Sequence, residues 1–379
     1  MAAADPLKIL GTQLPHPPKG RTFVAAAGKA AASMALATER HWPEASKLDG
    51  IAVTRYKHGL PTRRVRVVEA GHPVPDEAGE QAAKEILARV QQLGPNDLLL
   101  ALLSGGGSSL LSLPTPGVSM AQLKKLTAQL LKSGADIQEV NTVRKHLSAI
   151  AGGRLAAASR APVVALVISD VVGDDPTHIA SGPCAPDPTT IADAKAILAK
   201  YRIEFRGPFS ETPKTGNATN KVIASAYRSL EAAAEVFRAA GMRPEILGDT
   251  ITGEAREVGR EMAHLARRTK GPAALISGGE CTVTIAGDGG RGGRCTEFLL
   301  SLGIETHGIW AIAADTDGID GSEDNAGAIL TPESMHKGHD AGAFLARHDS
   351  YGFFSALGDL VVTGPTRTNV NDYRAIIVA

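Results

Sequence analysis

Two short apolar runs in this chain lead into the same three residues. Leu98-Leu99-Leu100-Ala101-Leu102-Leu103 runs into Ser104-Gly105-Gly106-Gly107-Ser108-Ser109, and Ala273-Ala274-Leu275-Ile276 runs into Ser277-Gly278-Gly279-Glu280. Glycines after a buried strand let backbone N–H groups approach a ligand that a Cβ would hold off. Small hydroxyls beside them suit phosphate oxygens. A tight turn leaving a parallel sheet writes the same letters, so one copy alone reads as a turn; two copies point to an anion or phosphate site. Lys29 adds to this. It follows Gly28 at the end of a strand-like run and opens a helix, where a cation opposes the macrodipole. A phosphate on that helix start would relieve the conflict, whereas the plain alternative is a solvated lysine. The C-terminal edge of an open α/β sheet, where ligands bind, is where this lysine would stand.

Carboxylates and arginines complete the set. Ser169-Asp170-Val171-Val172-Gly173-Asp174-Asp175 and Asp315-Thr316-Asp317-Gly318-Ile319-Asp320-Gly321 each follow a buried strand. Asp170, Asp315 and Asp317 are hard-oxygen ligands suited to Mg²⁺, which keeps waters and shares substrate phosphates. Asp and Gly are also ordinary turn residues. The second loop is no EF-hand, because Ile319 and Asp320 occupy its third-ligand and glycine positions. Gly28-Lys29 is no Walker A loop either, since Val24 stands where the first glycine belongs and Ala30 follows the lysine. Protein-kinase signatures are absent. Gly287-Asp288-Gly289-Gly290-Arg291-Gly292 satisfies G-x-G-x-x-G, and two arginines in the same loop suit a polyphosphate or carboxylate; the plain alternative is a glycine-rich hairpin tip. Asn141 to Leu147 is basic and reads either as a carboxylate-capturing stretch or as a solvated helix start. Together these are parts for phosphoryl transfer, which needs phosphates held in line, charge neutralised and an acceptor hydroxyl positioned.

The elements that must position these residues alternate along the chain. Thr22–Ala27, Val65–Val68, Leu98–Leu103 and Val163–Ile168 read as strands. Lys29–Arg40, Asp76–Leu93 and Met120–Lys132 read as helices between them. Strands with helical crossovers imply a parallel sheet covered on both faces. The polar interval Glu211–Gly216 reads as a linker. After it, Lys221–Ala240, Gly253–Arg268 and Thr296–Leu302 read as helices. Arg243–Leu247, Ala273–Ser277, Thr282–Ala286, Ile309–Ala314, Val361-Val362 and Ala375–Val378 read as strands. At 379 residues, two domains are expected, 1–210 and 211–379. Lys plus Arg equals Asp plus Glu at 40 each, so no global field recruits nucleic acid or anionic lipid, and 4% aromatics leave few stacking platforms. Three cysteines without metal spacing fit a reducing cytoplasm, and no leader or membrane-length apolar run stands out.

Taken jointly, the motifs resemble a known family. Gly28-Lys29-Ala30-Ala31, Ser104 to Ser109, Lys145-His146-Leu147-Ser148 with Gly152-Gly153-Arg154, and Ser169-Asp170-Val171 through Ser181-Gly182-Pro183 belong to this pattern. Ser277-Gly278-Gly279-Glu280, Gly292-Gly293-Arg294 with Glu297, Asp315 to Gly321, and Thr363-Gly364-Pro365-Thr366 through Asn371-Asp372 continue it. The chain is similar over nearly its whole length to the class II glycerate kinases (glycerate 2-kinases) with a C-terminal MOFRL domain. Ala151, and Cys295-Thr296, depart from the family pattern, which has a lysine and polar amide-type residues there. The resemblance implies two α/β domains, the first Rossmann-like with a mostly parallel sheet and the second a smaller MOFRL-type domain, with an active-site cleft between them. It implies ATP- and Mg²⁺-dependent conversion of D-glycerate to 2-phosphoglycerate in the cytoplasm, with a homodimer among the expected assemblies. Lys29 and Arg294 match the family's catalytic lysine and arginine. By inference Ser104, Gly105, Gly106, Gly107, Ser108, Ser277, Gly278, Gly279 and Glu280 would hold phosphates or the glycerate carboxylate, and Asp170, Asp315 and Asp317 the metal. The other readings are an NAD(P)-dependent hydroxypyruvate reductase and a catalytically inactive, ligand-sensing relative.

Overall fold

Thr22–Ala27 (β1) and Leu98–Leu103 (β4) are buried at every residue, and they lie side by side in parallel. A strand covered on both faces has no reason to alternate, so continuous apolar runs mark the middle of a parallel sheet. Around this pair the computed structural model, which describes residues 2–285, 287, 289–336 and 340–379, places β2 (Leu48–Arg55), β3 (Val65–Ala70), β5 (Val163–Ile168) and β6 (Thr219–Ala224). The sheet order is β3-β2-β1-β4-β5-β6. Pairs β2–β3, β1–β2, β1–β4 and β4–β5 are all parallel. This is the doubly wound α/β arrangement, with its order reversing between β1 and β4. Helices Ala31–His41 and Glu77–Gln91 follow β1 and β3, the second capped by Asp76, whose carboxylate accepts the Gly79 N–H at 3.0 Å.

One strand of this half went unread and two expectations need correction. β2 has no counterpart among the expected strands; Asp49-Gly50 is a turn-type pair, yet Gly50 is a strand residue that allows close approach: a Cβ there would stand 2.4 Å from the Val24 carbonyl oxygen. Lys221–Ala240 is not one helix. Thr219–Ala224 is the edge strand β6, and the helix is Ala226–Ala239. The polar interval 211–216 is packed rather than a free linker, with Thr212 buried, Pro213 accepting the Asp187 N–H at 3.0 Å, and Glu211 3.3 Å from His146. The compact unit therefore runs over Asp5–Ile223, past the expected boundary at 210, because β6 completes its sheet.

The second unit is Ala224–Ala379 joined by the 3-10 turn Ala2–Ala4. Its strands are β7 (Arg243–Glu254), β8 (Ala273–Thr282), β9 (Trp310–Asp315), β10 (Gly327–Leu330), β11 (Leu360–Val361) and β12 (Asp372–Val378), in the order β11-β10-β9-β12-β8-β7. β7 and β8 are parallel, whereas β12 runs antiparallel to both β8 and β9. Helices Ala255–Arg268 and Arg294–Glu305 bury Val258, Phe298 and Leu299 against Leu275 and Ile376. Of the expected strand Thr282–Ala286, only Thr282 is strand, as the end of β8, and Ala286 lies outside the described residues. No helix among the described residues is long and apolar enough to cross a membrane.

The largest correction concerns the second Ser-Gly-Gly. Ser277-Gly278-Gly279 does not leave its strand: β8 continues to Thr282, with Ser277, Gly278 and Gly279 opposite Arg374, Tyr373 and Asp372 of β12. The glycines serve the ladder. Gly279 has φ +115°, and a Cβ there would stand 2.2 Å from the Ile251 carbonyl oxygen at the bulge in β7. Gly279→Ala combines backbone strain with a clash against backbone, so it is expected to cost about 2 kcal/mol or more of stability. Urea unfolding of the variant beside the wild type measures that loss.

Candidate functional site

The β1–β4 switch point carries the first Gly-rich turn and Lys29 together. After β1 the chain turns at Gly28 (φ +126°), whose added Cβ would stand 2.2 Å from Ser104 Oγ. Lys29 N–H donates to the Gly105 carbonyl at 2.8 Å, and Ala30 N–H donates to Ser104 Oγ at 3.0 Å. The turns after the two strands are thereby tied to each other. Ser104 is fully buried in this tie, so its hydroxyl is a structural acceptor rather than the ligand contact expected of it. Gly106 (φ +80°) lies under two side chains: a Cβ there would be 2.7 Å from His72 Nε2 and 3.5 Å from Lys29 Cγ. Gly107, packed against Ala180, begins the single turn Gly107–Leu110, in which Ser108 is half-buried. Lys29 thus stands over the glycine turn of β4, at the sheet edge where a parallel α/β fold binds ligands.

Residues of the basic stretch 141–147 and of the Ser181 segment converge on the same turn. Helix Ile137–Lys145 brings Arg144, whose Nη2 donates to the Ser108 carbonyl at 2.6 Å. Ser108 Oγ and Ser181 Oγ are 2.7 Å apart, and Ser181 donates to Asn141 Oδ1 at 3.4 Å. The stretch 141–147 is not a solvated helix start: all of it but Arg144 is buried, and its charges differ in their partners. Lys145 is buried in an ion pair with Asp187 at 2.7 Å, and His146 Nδ1 lies 2.9 Å from the Thr142 carbonyl oxygen. The legible signal was the residue string itself; the missing information was which of its charges already had partners. Asp170 follows β5 at the same edge of the sheet, after Ser169, whose hydroxyl closes a local turn with Val171.

In the second unit Arg294 is a hub. It is the first residue of helix Arg294–Glu305. Its Nη2 donates to Asp315 Oδ2 at 2.6 Å, its Nε donates to Asp372 Oδ1 at 2.8 Å, and its Nη1 lies 3.1 Å from Glu280. Asp372 also takes Arg374 Nη2 at 2.7 Å, and that buried guanidinium donates to the Gly278 carbonyl at 3.2 Å. Burial, with the charges of Asp317 and Asp372, pushes the Asp315 carboxyl up to about 8 against the pull of Arg294. Three carboxylates around it hold Arg294 firmly protonated. The helix start is capped from the same loop: Asp320 accepts Cys295 N–H and Thr296 N–H, each at 2.9 Å. Burial pushes Asp320 up to about 6 despite those bonds. Cys295 and Thr296, which with Ala151 depart from the family pattern, are fully buried here.

The expected site residues therefore group by unit. Lys29, Gly105, Gly106, Gly107, Ser108 and Asp170 edge the first sheet. Glu280, Arg294, Asp315 and Asp317 cluster in the second, and Ser277, Gly278 and Gly279 are strand residues beside them. Among the described residues no three His, Cys, Asp or Glu side chains form a metal shell. Asp315 and Asp317, both buried and two positions apart in one loop, are nonetheless the donor type that suits a cation taking one or two carboxylates and keeping its waters. Asp372 and Asp320 were missed as partners because they lie far along the chain from Arg294 and Thr296. The Gly287–Gly292 stretch includes Asp288, outside the described residues. Its described part is tied to the segment 347–351, with Gly290 N–H donating to the Arg347 carbonyl at 2.7 Å and the Arg291 carbonyl accepting Tyr351 N–H at 2.9 Å, and Gly290 and Gly292 line one recess with Arg294.

A lysine over a glycine turn at the switch point of a doubly wound sheet stands at the edge where α/β proteins of this class bind ligands. Residues 1–210 match the family described as Domain of unknown function (DUF4147), and residues 273–372 match the MOFRL family. A D-glycerate 2-kinase of Thermotoga maritima is 42% identical over 392 residues, covering 98% of this chain and 94% of its own length. A relative in Agrobacterium vitis, provisionally named a hydroxypyruvate reductase, is 53% identical and covers 100% of this chain and 92% of its own. The crystal structure of a glycerate kinase from Thermotoga maritima matches with a TM-score of 0.91 at 40% identity, over 100% of this chain and 96% of that one. The chain belongs to the class II glycerate kinase (glycerate 2-kinase) family, and the kinases among its relatives support a kinase.

Proposed function

We propose that the protein is a glycerate 2-kinase, transferring the γ-phosphoryl group of ATP to the 2-hydroxyl of D-glycerate. The observation that carries this reading is Lys29 lying over the Gly105–Gly107 turn at the β1–β4 switch point, in a chain 42% identical to a D-glycerate 2-kinase. In the proposed step the substrate hydroxyl oxygen bonds to the γ-phosphorus, the bond to the ADP oxygen breaks with ADP leaving, and the hydroxyl proton passes to water. Lys29 neutralises charge on the transferred group, and the glycine turn lets its backbone come close to phosphate oxygens. Asp315 and Asp317 would hold Mg²⁺, with Asp170 a further proposed ligand; the ion would supply charge neutralisation on the phosphates. For Arg294 the three carboxylates around it favour a positioning role, fixing Asp315 in the acidic loop. Cytoplasmic location and homodimerisation remain parts of the same proposal.

Purified protein with ATP, Mg²⁺ and D-glycerate, with the phosphoglycerate isomers separated, tests this reading. The expected product is 2-phosphoglycerate, and absence of any phosphoglycerate overturns the proposal. The reductase name of the Agrobacterium vitis relative gives the alternative its own arm: NADPH oxidation with hydroxypyruvate, independent of ATP. Against it, the stretch 287–292 is no tight strand-to-helix turn, since helix Arg294–Glu305 begins well after β8 ends at Thr282. A sensing relative would be stabilised by ligand without forming product.

A further inference from the structure

Four basic residues lie close together between positions 144 and 154, and three of them answer to carboxylates. Lys145 pairs with Asp187 at 2.7 Å and His146 lies 3.3 Å from Glu211. Arg154 donates to the carbonyls of Lys145 and Ser210 at 2.7 and 2.8 Å, with Asp187 and Glu211 near enough to favour its charge. Arg144 differs. Among the described residues it pairs with no acidic side chain, and its one hydrogen bond is the Nη2 contact to the Ser108 carbonyl. A guanidinium has five N–H donors in a planar fork, so most of this fork is left for something else. Burial without a counter-charge draws it down to about 10, which still leaves it charged at neutral pH.

What faces it is a narrow recess whose polar lining includes Ser108, Arg144, Ser148 and Ser181, with Leu111 and Leu123 among its apolar walls. The recess admits about one water-sized group, so a carboxylate oxygen fits and a polyphosphate tail does not. Its serines are held in place at some cost. Ala180 and Ser181 both have left-handed φ, +52° and +59°, and this backbone delivers Ser181 Oγ to within 2.7 Å of Ser108 Oγ. Two hydroxyls beside an arginine fork without a carboxylate partner match the end of a small organic acid.

We infer that Arg144, with the hydroxyls of Ser108 and Ser181, binds the carboxylate of a small hydroxy acid. The inference rests on the kinase reading for the identity of that acid, D-glycerate, and on the structure alone for the site. Recognition then divides along the turn, with Lys29 over Gly106 on one side and the carboxylate subsite beyond Ser108 on the other.

Two readouts on wild type, Arg144→Met and Arg144→Lys separate the site from the reaction. In steady-state kinetics Arg144→Met is expected to raise the D-glycerate KM by about 30-fold or more, with the ATP KM changed by less than about threefold. Arg144→Lys, which keeps charge but not the fork, falls between. In thermal melts without nucleotide, D-glycerate stabilises wild type and glycerol does not, and Arg144→Met loses that stabilisation while melting as a folded protein. A D-glycerate KM within about threefold of wild type in Arg144→Met, or equal rises for both substrates, overturns the subsite and leaves the kinase reading standing. Retained D-glycerate stabilisation that disappears in Arg144→Met, in a protein that forms no phosphoglycerate, supports the subsite and overturns the kinase. Should Arg144→Met fail to fold, the Arg144→Lys KM split decides alone.

Discussion

Lys29→Ala is expected to lower D-glycerate turnover with ATP by about a thousand-fold while leaving the melting temperature within a few degrees of wild type. The two halves of this result come from different atoms of the same residue. Structurally, Lys29 acts through its backbone N–H on the Gly105 carbonyl at 2.8 Å, and alanine keeps that bond. The neighbouring tie from Ala30 to Ser104 Oγ is also untouched. The side chain itself packs over Gly106 and lies half-exposed at the sheet edge, so its removal opens no core cavity. The substitution removes the ammonium charge, and phosphoryl transfer depends on such charge because the protein has little covalent chemistry to perform. Lys29→Arg restores charge on a longer, planar head and is expected to recover a small part of the rate. Initial-rate measurement of ADP release, with melts on the same preparations, checks both halves. Turnover of Lys29→Ala within about tenfold of wild type removes Lys29 from the proposed role.

Legibility in the sequence followed the range of the interactions. β1 and β4 were visible because strands covered on both faces are continuous apolar runs, and the strand–glycine–lysine turn was visible because everything in it is local. Gly50 and Gly279 show the opposite case. Each reads as punctuation, but each is a strand glycine whose meaning is a backbone 2.4 or 2.2 Å from the Cβ it lacks, in a segment distant along the chain. The repeated Ser-Gly-Gly therefore had two explanations under one spelling. After β4 it is a true turn with Lys29 above it; in β8 it is ladder, and the chemistry beside it is carried by Glu280, Arg294 and Asp315. The charged partners were the least legible part. Arg294 meets Asp372 across 78 positions and Lys145 meets Asp187 across 42, and neither composition nor period records which charges answer each other. That is why Arg144 could not be singled out within the basic stretch 141–147: what distinguishes it is that, among the described residues, it pairs with no acidic side chain.

Arg294→Met is expected to destabilise the protein by about 3 kcal/mol, the lower part of the range for breaking a buried ion pair. Methionine matches much of the side-chain volume, so the cost is electrostatic rather than a packing loss. It leaves Asp315 and Asp372, both nearly inaccessible, without the guanidinium that bonds them at 2.6 and 2.8 Å. Two features hold the cost below the upper limit. Asp372 keeps Arg374 at 2.7 Å, and Asp315, already pushed up to about 8, can take a proton instead of standing as a bare buried anion. Glu280 contributes little, because an exposed carboxylate is well solvated without its partner. The double-mutant cycle follows from this division. Asp315→Asn in the Arg294→Met background is expected to recover roughly 1 kcal/mol, whereas Glu280→Gln in that background recovers none. Urea unfolding monitored by far-UV circular dichroism supplies the four corners of each cycle. If Arg294→Met unfolds at the wild-type midpoint, the acidic loop does not depend on this arginine, and its role returns to the phosphoryl group.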